Sequence, residues 1–295
     1  MFRCRICGSQ NYTEVLAGLN SKFSLKKCGN CSFVSIDPLP AAEELKQHYS
    51  PTYWQENQGV VGKALGLFYR FRMMSVVRDI KKLTPKKGRI LDWGAGDGSL
   101  IKILSKKGFD CFGIDLYQTN PEDKRIINAS IENLALTAGS FDAITCFHTL
   151  EHLPNPLFSL KWAAKLLKRK GLLIIEVPNI ASLGFKVFKK KWQPLEIPLH
   201  LNHFSPKFLK KILTISGELE IIKFSFFSHR ASPGAIILSL FPFFSPNRVR
   251  AKHQGKYPLF LMVFYLVLQC FAYPLAAFGS FLKQGSIMRV IARKQ

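Results

Sequence analysis

The sequence predicts an α/β protein built on a parallel, doubly wound sheet, and three observations carry that expectation. The apolar pair Ile90-Leu91 runs into Asp92-Trp93-Gly94-Ala95-Gly96-Asp97-Gly98-Ser99 and then into the amphipathic stretch Leu100–Leu104, a strand, a glycine loop and a helix start. The next apolar stretch, Phe109–Asp115, ends in a second acid. Beyond it strands and helices alternate, with Ser140–His148 a strand, Pro156–Lys170 a helix closing at Gly171, and Leu172–Asn179 a fully buried strand. Glycines let such a loop turn sharply and approach a ligand that a Cβ would push away. At the carboxyl end of a strand, that is where open α/β sheets hold cofactors.

The loop also discriminates between ligands. A dinucleotide fingerprint needs a third glycine where Ser99 stands, and no Lys-Ser/Thr pair follows to make a P-loop. Asp92 with Gly94, Gly96 and Gly98 resembles motif I of the class I S-adenosylmethionine-dependent methyltransferases, and Asp115 is placed to accept both ribose hydroxyls. The resemblance implies a Rossmann-like sheet of seven strands, the last running antiparallel between the fifth and sixth. It implies S-adenosyl-L-methionine held by Asp92, Gly94, Gly96, Gly98, Asp115 and Leu116. Arg125–Asn128 is then a short third strand, and Ile131 and Glu132 fall where this fold meets the adenine ring.

At the amino terminus Cys4-x2-Cys7 and Cys28-x2-Cys31 lie twenty residues apart, each pair followed by a small residue, Gly8 or Ser32. This is the spacing of a closed four-cysteine zinc site, structural rather than catalytic. Seven cysteines behind Met1-Phe2-Arg3-Cys4, which has no apolar signal region, indicate a reducing, cytoplasmic setting. Residues 1–37 form the knuckle, 38–84 a linker with helices at Glu43–Tyr49 and Gly62–Leu83, and 85–230 the main domain. The second helix carries the stripe Leu65, Phe68, Tyr69, Met73, Val76, Val77 and Ile80, which suits packing beside the sheet or a cover over the cofactor.

His148-x-x-Glu151-His152 matches an inverted zinc-protease pattern, but it leaves a strand and meets Pro154 and Pro156, so that chemistry is rejected. His148 is read as a cofactor contact, with Glu151 and His152 capping the next helix. The alternative is the metal-binding segment of ubiquinone-pathway O-methyltransferases, with His148 in place of an acid. Leu150–Pro154, Val177-Pro178-Asn179 and Pro198-Leu199-His200-Leu201-Asn202-His203-Phe204-Ser205-Pro206 resemble a bacterial subgroup of these enzymes, Leu199 standing where that group has arginine. His200 and His203 are candidate general bases for a hydroxyl acceptor or, equally, loop-fixing residues.

Ser205 and Pro206 open a helix, Glu220–Ser228 reads as the sixth strand and 286–295 as the seventh. Between them 231–285 is an insertion with apolar runs at Gly234–Phe244 and Leu259–Leu282, separated by Arg248, Arg250, Lys252 and Lys256. A single membrane crossing would strand the last β-strand on the wrong side, so a hairpin in one leaflet is expected, against two helices packed on the domain. Phe185-Lys186-Val187-Phe188-Lys189-Lys190-Lys191-Trp192 leaves the same edge and, with a net charge of +23, suits an anionic membrane surface or RNA. The resulting expectation is a peripheral enzyme on the inner face of the membrane, O-methylating a lipid- or polyprenyl-linked, glycan or otherwise amphipathic acceptor. A zinc-bearing RNA methyltransferase weighs less because nucleic acid needs no apolar hairpin. A non-catalytic membrane scaffold conflicts with the intact Asp92, Gly94, Gly96 and Asp115.

Overall fold

The computed structural model describes residues 2–48, 73–117, 123–134, 136–217, 219–229, 231–245, 248–249, 252–253 and 258–295. Leu65, Phe68, Tyr69, Arg250 and Lys256 lie outside them. Strands β1 (Tyr12–Leu19), β2 (Phe23–Cys28) and β3 (Val34–Asp37) form an antiparallel sheet, followed by the short helix α1 (Ala42–His48) and the helical residues 73–83, α2. The glycine loop joins β4 (Arg89–Trp93) to α3 (Ser99–Ser105). Next come β5 (Asp110–Asp115), β6 (Ile126–Asn128), β7 (Phe141–Phe147), α4 (Pro156–Leu166) and β8 (Leu167–Pro178). They are followed by α5 (Leu183–Phe188), β9 (Asn202–His203), α6 (Pro206–Ser216) and β10 (Leu219–Ser225). The insertion carries α7 (Ser232–Leu240) and α8 (Leu259–Phe281), and β11 (Ile287–Lys294) ends the chain.

The large sheet runs β10-β11-β8-β7-β4-β5-β6. β11 is antiparallel to both β8 and β10, as the resemblance implied, while β4 to β8 pair in parallel. Helices cover both faces, which is why Leu172–Val177 is almost unbroken apolar sequence. Against one face Leu160, Ala163, Phe208 and Ile212 of α4 and α6 meet Ile144, Ile175 and Val290. Against the other, Val76, Ile80, Leu100, Ile101 and Leu104 of α2 and α3 meet Ile90, Ile174 and Ile291. Asn155 and Ser205 cap α4 and α6 by accepting from Phe158 and Phe208 N–H at 3.1 and 3.2 Å, each with proline in the first turn.

Two local expectations differ. α4 stops at Leu166 rather than Lys170, because Leu167 is already extended, buried and paired with Phe141. The polar run Lys168-Arg169-Lys170 carries no periodicity that would mark the change. Asn155, not Glu151 or His152, supplies the cap.

The amino-terminal module is not a separate knuckle. β3 pairs antiparallel with β9, Val34 opposite His203 and Ser35 opposite Asn202. Leu19, Phe23, Leu25, Val34 and Ile36 then share a core with Ile180, Phe185, Trp192, Leu195 and Leu201. Trp192 is 2% exposed and meets Phe185 edge-on at 5.5 Å. This corrects the reading of Phe185 and Trp192 as interfacial anchors: the aromatics face inward, and Lys186, Lys189, Lys190 and Lys191 remain outside.

The insertion leaves and returns at the carboxyl edge of the parallel strands, since Ser225 faces Arg289 and Ile287 faces Pro178. α7 and the turn Pro242–Phe244 after it pack on α8 through Ile237, Leu238, Phe244 and Ala272, with Tyr265 and Leu268 at the margin. Gln193 N–H donates to Ser239 Oγ at 2.9 Å and Leu183 N–H to Gln284 O at 3.0 Å, fastening the hairpin to the segment after β8. The outer side of α8 is bare: Phe260, Phe271 and Phe281 are 70, 75 and 82% exposed. Among the described residues α8 is the one helix long and apolar enough to cross a membrane, with mean hydropathy 2.0 and 22% of its most apolar window buried.

Candidate active site

The cofactor half of the site is built at the ends of β4 and β5. Asp92 is buried and accepts from Thr145 Oγ1 of β7 at 2.7 Å, which fixes the strand end before the turn. Gly94 has φ +83°, and a Cβ there would lie 1.9 Å from Thr149 Oγ1. Glycine is required on both counts. Gly98, φ +74°, begins α3 against Ile126 Cδ1, 2.7 Å from where its Cβ would be. Between them Gly96 N–H donates to Asp115 Oδ2 at 2.9 Å, and Tyr117 N–H to Oδ1 at 2.8 Å. Burial raises the Asp115 pKa, and these two donors offset part of that cost. Leu116, 47% exposed, stands beside it as an uncovered apolar surface. A carboxylate with lone pairs to spare, a backbone turn and an exposed apolar side chain fit a nucleoside.

Ile131 and Glu132 follow β6 with both side chains directed into the protein. Ile131 is 1% exposed and belongs to the core, and the Glu132 carboxylate accepts from Ser159 Oγ of α4. Both side chains are thus engaged within the protein.

His148, expected as a cofactor contact, is held by two acidic side chains. It has φ +51° and lies between two carboxylates, Nδ1 3.3 Å from Glu151 Oε1 and Nε2 3.2 Å from Glu176 Oε1. Burial opposes its charge, but the two carboxylates prevail and raise its pKa to about 9. Glu176 continues the chain, accepting from Arg289 Nε at 2.8 Å, from Arg289 Nη2 and from Ser228 Oγ at 2.8 Å. Arg289 and His148 hold its pKa well below the carboxylate range against the cost of burial. Sequence reasoning missed Glu176, Ser228 and Arg289. The usable signal was one charge within each of two apolar runs, Glu176 in Leu172–Val177 and Arg289 in Ile287–Ala292, which burial permits only when paired.

The third cluster brings the predicted histidines to the turn after β7. His200 and His203 are both buried. His200 Nδ1 lies 2.8 Å from Pro194 O, and its Nε2 3.5 Å from Glu196 Oε2. His152 stacks edge-on against it at 4.7 Å, with Nδ1 3.1 Å from Leu199 O. Carbonyl acceptors at both Nδ1 atoms fix the Nδ1–H tautomers and leave Nε2 as the basic nitrogen. One ligand atom each of Glu151, His152 and His200 lie within 4.8 Å of one another, a spacing that could hold a metal ion and leaves His148 outside. Burial and the neighbouring His200 lower the His203 pKa to about 3.

The four cysteines Cys4, Cys7, Cys28 and Cys31 converge with all sulfurs within 4.8 Å, Cys4 to Cys31 at 3.5 Å and Cys7 to Cys28 at 3.6 Å. Thiolates about 2.3 Å from zinc stand about 3.8 Å apart along the edges of a tetrahedron. Gly8 and Ser32, at φ +73° and +64°, make the two tight turns. The donor set and its shape fit zinc.

Residues 67–217 match the protein-family model described as "Methyltransferase domain". Among characterised proteins, the chain is 34% identical over 116 residues to a ubiquinone biosynthesis O-methyltransferase of Xanthomonas axonopodis pv. citri, covering 35% of this chain and 48% of that protein. A protein of the same name from Psychrobacter arcticus is 34% identical over 105 residues, 31% and 41% of the two chains. The chain thus spans about half the length of these relatives or less. Among solved structures, the putative sarcosine dimethylglycine methyltransferase from Galdieria sulphuraria aligns with TM-score 0.51 at 14% identity, over 85% of this chain and 98% of that one. The [4+2]-cyclase SpnF aligns with TM-score 0.52 at 15% identity, over 86% and 96%. At such identities these structures report the fold alone.

Proposed function

Since the chain belongs to the S-adenosylmethionine-dependent methyltransferases of class I fold, we propose that its acceptor is an amphipathic hydroxyl compound presented at a membrane surface, a polyprenyl- or lipid-linked molecule methylated on oxygen. The observation that carries this reading is the bare apolar face of α8, on a hairpin rooted at the strand edge that bears the glycine loop. The name of the Xanthomonas and Psychrobacter relatives, which couples O-methylation to ubiquinone, agrees with such an acceptor. Exposed phenylalanines supply the hydrophobic term, and Lys186 and Lys189 to Lys191 add attraction to anionic headgroups, the two signals stable attachment needs.

In this reading bound S-adenosylmethionine supplies an electrophilic methyl group for in-line transfer. Asp115 holds the ribose hydroxyls, Leu116 covers the adenine, and Asp92 with the Gly94–Gly98 loop shapes the rest of the cradle. Alignment of acceptor and donor provides much of the rate. His200 Nε2 takes the acceptor's hydroxyl proton, and Glu196 stabilises the imidazolium that results. Cys4, Cys7, Cys28 and Cys31 hold one zinc ion that keeps the amino-terminal module folded.

The test is a variant with 234–282 replaced by a short turn, assayed beside the intact chain. The variant is expected to bind S-adenosylmethionine normally, to lose binding to phosphatidylglycerol vesicles, and to methylate a polyprenylated phenol in those vesicles poorly. Labelled methyl transfer to total RNA, or full turnover on the phenol by the shortened chain, would sink the proposal.

A further inference from the structure

The β3–β9 pairing joins the cysteine module to the loop that carries His200 and His203, and one side chain reinforces that joint from inside the knuckle. Arg5 lies within the first Cys-x2-Cys turn. Its Nη1 donates to Pro154 O at 2.7 Å, and Nη2 donates to Leu201 O at 3.0 Å and to Asn202 Oδ1 at 3.1 Å. The guanidinium therefore bridges the turn after β7 and the loop before α6, segments about fifty residues apart in sequence.

Asn202 completes the bridge. With Oδ1 taken by Arg5, its amide nitrogen faces Leu153 O at 2.7 Å, Leu150 O at 3.2 Å and Glu151 O at 3.3 Å. Ile36 N–H also donates to Leu201 O, at 3.1 Å. The same two segments carry the cluster of Glu151, His152, His200 and His203, of which all but His152 are buried. A planar fork with five donors can serve three acceptors on two strands of backbone at once, which an ammonium cannot. The charge matters as well, because four thiolates around a zinc dication leave a net charge of about −2 that a guanidinium beside Cys4 offsets.

We propose that Arg5 is a positioning residue through which the zinc knuckle clamps the acceptor side of the active site, so that metal occupancy sets the order of residues 150–154 and 199–204. The proposal rests on reading the cysteines as a zinc site and 198–206 as the acceptor loop. It assigns the knuckle a task in the reaction beyond its own stability, since the histidine loop owes one edge of its hydrogen bonding to it.

The experiment is hydrogen–deuterium exchange on the full chain in four forms: zinc-loaded, zinc-stripped, Arg5→Ala and Arg5→Lys. Arg5→Ala is expected to keep one zinc per chain and to bind S-adenosylmethionine within about twofold of the parent. Its amides in 150–154 and 199–204 are expected to exchange about tenfold faster or more. Arg5→Lys recovers part of the protection, and added methylguanidinium restores it to Arg5→Ala. Asn202→Ala, which leaves the cysteine turns untouched, reproduces the pattern. Turnover on a polyprenylated phenol falls about ten- to hundred-fold, chiefly in kcat, as a misplaced loop requires. Unchanged exchange in zinc-bound Arg5→Ala, or faster exchange after zinc removal confined to residues 2–37, overturns the proposal. Failure of the readings beneath it looks different. A folded chain without metal refutes the zinc site, and a loosened loop with full turnover refutes the acceptor-loop assignment.

Discussion

The two halves of the site are made in opposite ways. The cofactor half is local: Asp92, Gly94, Gly96 and Gly98 are alternate positions of one strand–loop–helix unit, and Asp115 follows within twenty-five residues. The acceptor half, as proposed, is assembled from distant pieces, with the turn after β7, the loop before α6, a knuckle at the amino terminus and a hairpin near the carboxyl terminus. Nucleoside recognition needs one fixed arrangement of backbone and carboxylate, which a short motif can encode. An acceptor pocket is tuned by whatever elements reach the strand edge, and each of those carries its own local sequence logic.

That contrast can be broken by experiment. The largest effect is expected from Gly94→Val, where Thr149 leaves no room and φ is positive. Calorimetry should show S-adenosylmethionine affinity falling by more than about a hundredfold, with vesicle binding untouched. Loss of both together would mean that the halves are not independent. Asp115→Ala should weaken the cofactor about ten- to hundred-fold by removing hydrogen bonds to a charged acceptor. An unchanged affinity would withdraw the ribose assignment.

A smaller effect comes from the histidine network and should appear in stability rather than in cofactor affinity. His148 has a folded pKa of about 9, above its ordinary value of 6.5, so its contribution is fully present below pH 6.5 and is lost as pH rises through 9. His152 and His203 have folded pKa values lowered to about 3, so holding them neutral costs stability as pH falls from 6.5 toward 3. Denaturant melts from pH 4 to 10 should therefore give a dome, and His148→Gln should flatten its alkaline limb by about 1–3 kcal/mol. An alkaline limb unaltered by that substitution would remove His148 from the account. The smallest expected effect is Lys190→Gln, which should lower partition onto phosphatidylglycerol vesicles about fivefold and leave cofactor affinity alone.

The same division explains what the sequence made legible. The glycine loop, the second acid and the cysteine quartet could all be read, because each is either contiguous or regular in spacing, whereas the antiparallel last strand followed only from the family resemblance. The β3–β9 pairing could not, since two residues, Asn202 and His203, form the partner strand and leave no alternation to detect. Phe185 and Trp192 were misread for a related reason. Lysines interleaved with aromatics describe a membrane interface equally well as a segment whose aromatics are taken up by a module 150 residues upstream. Glu176 and Arg289 are separated by 113 residues, so their ion pair was invisible while each isolated charge was in plain view.

The position of β11 bears on how the chain reaches this state. It fills the gap between β8 and β10, yet its residues come after the whole apolar hairpin. A nascent chain therefore presents the 23-residue helix α8 while the sheet still has an open seam on each side of the missing strand. Unpaired strand edges beside a bare greasy helix are a standing invitation to aggregate. A bilayer that takes up the helix early would act as a folding partner before it acts as a place of work. Refolding yield should accordingly rise when vesicles are present from the first moment rather than added at the end.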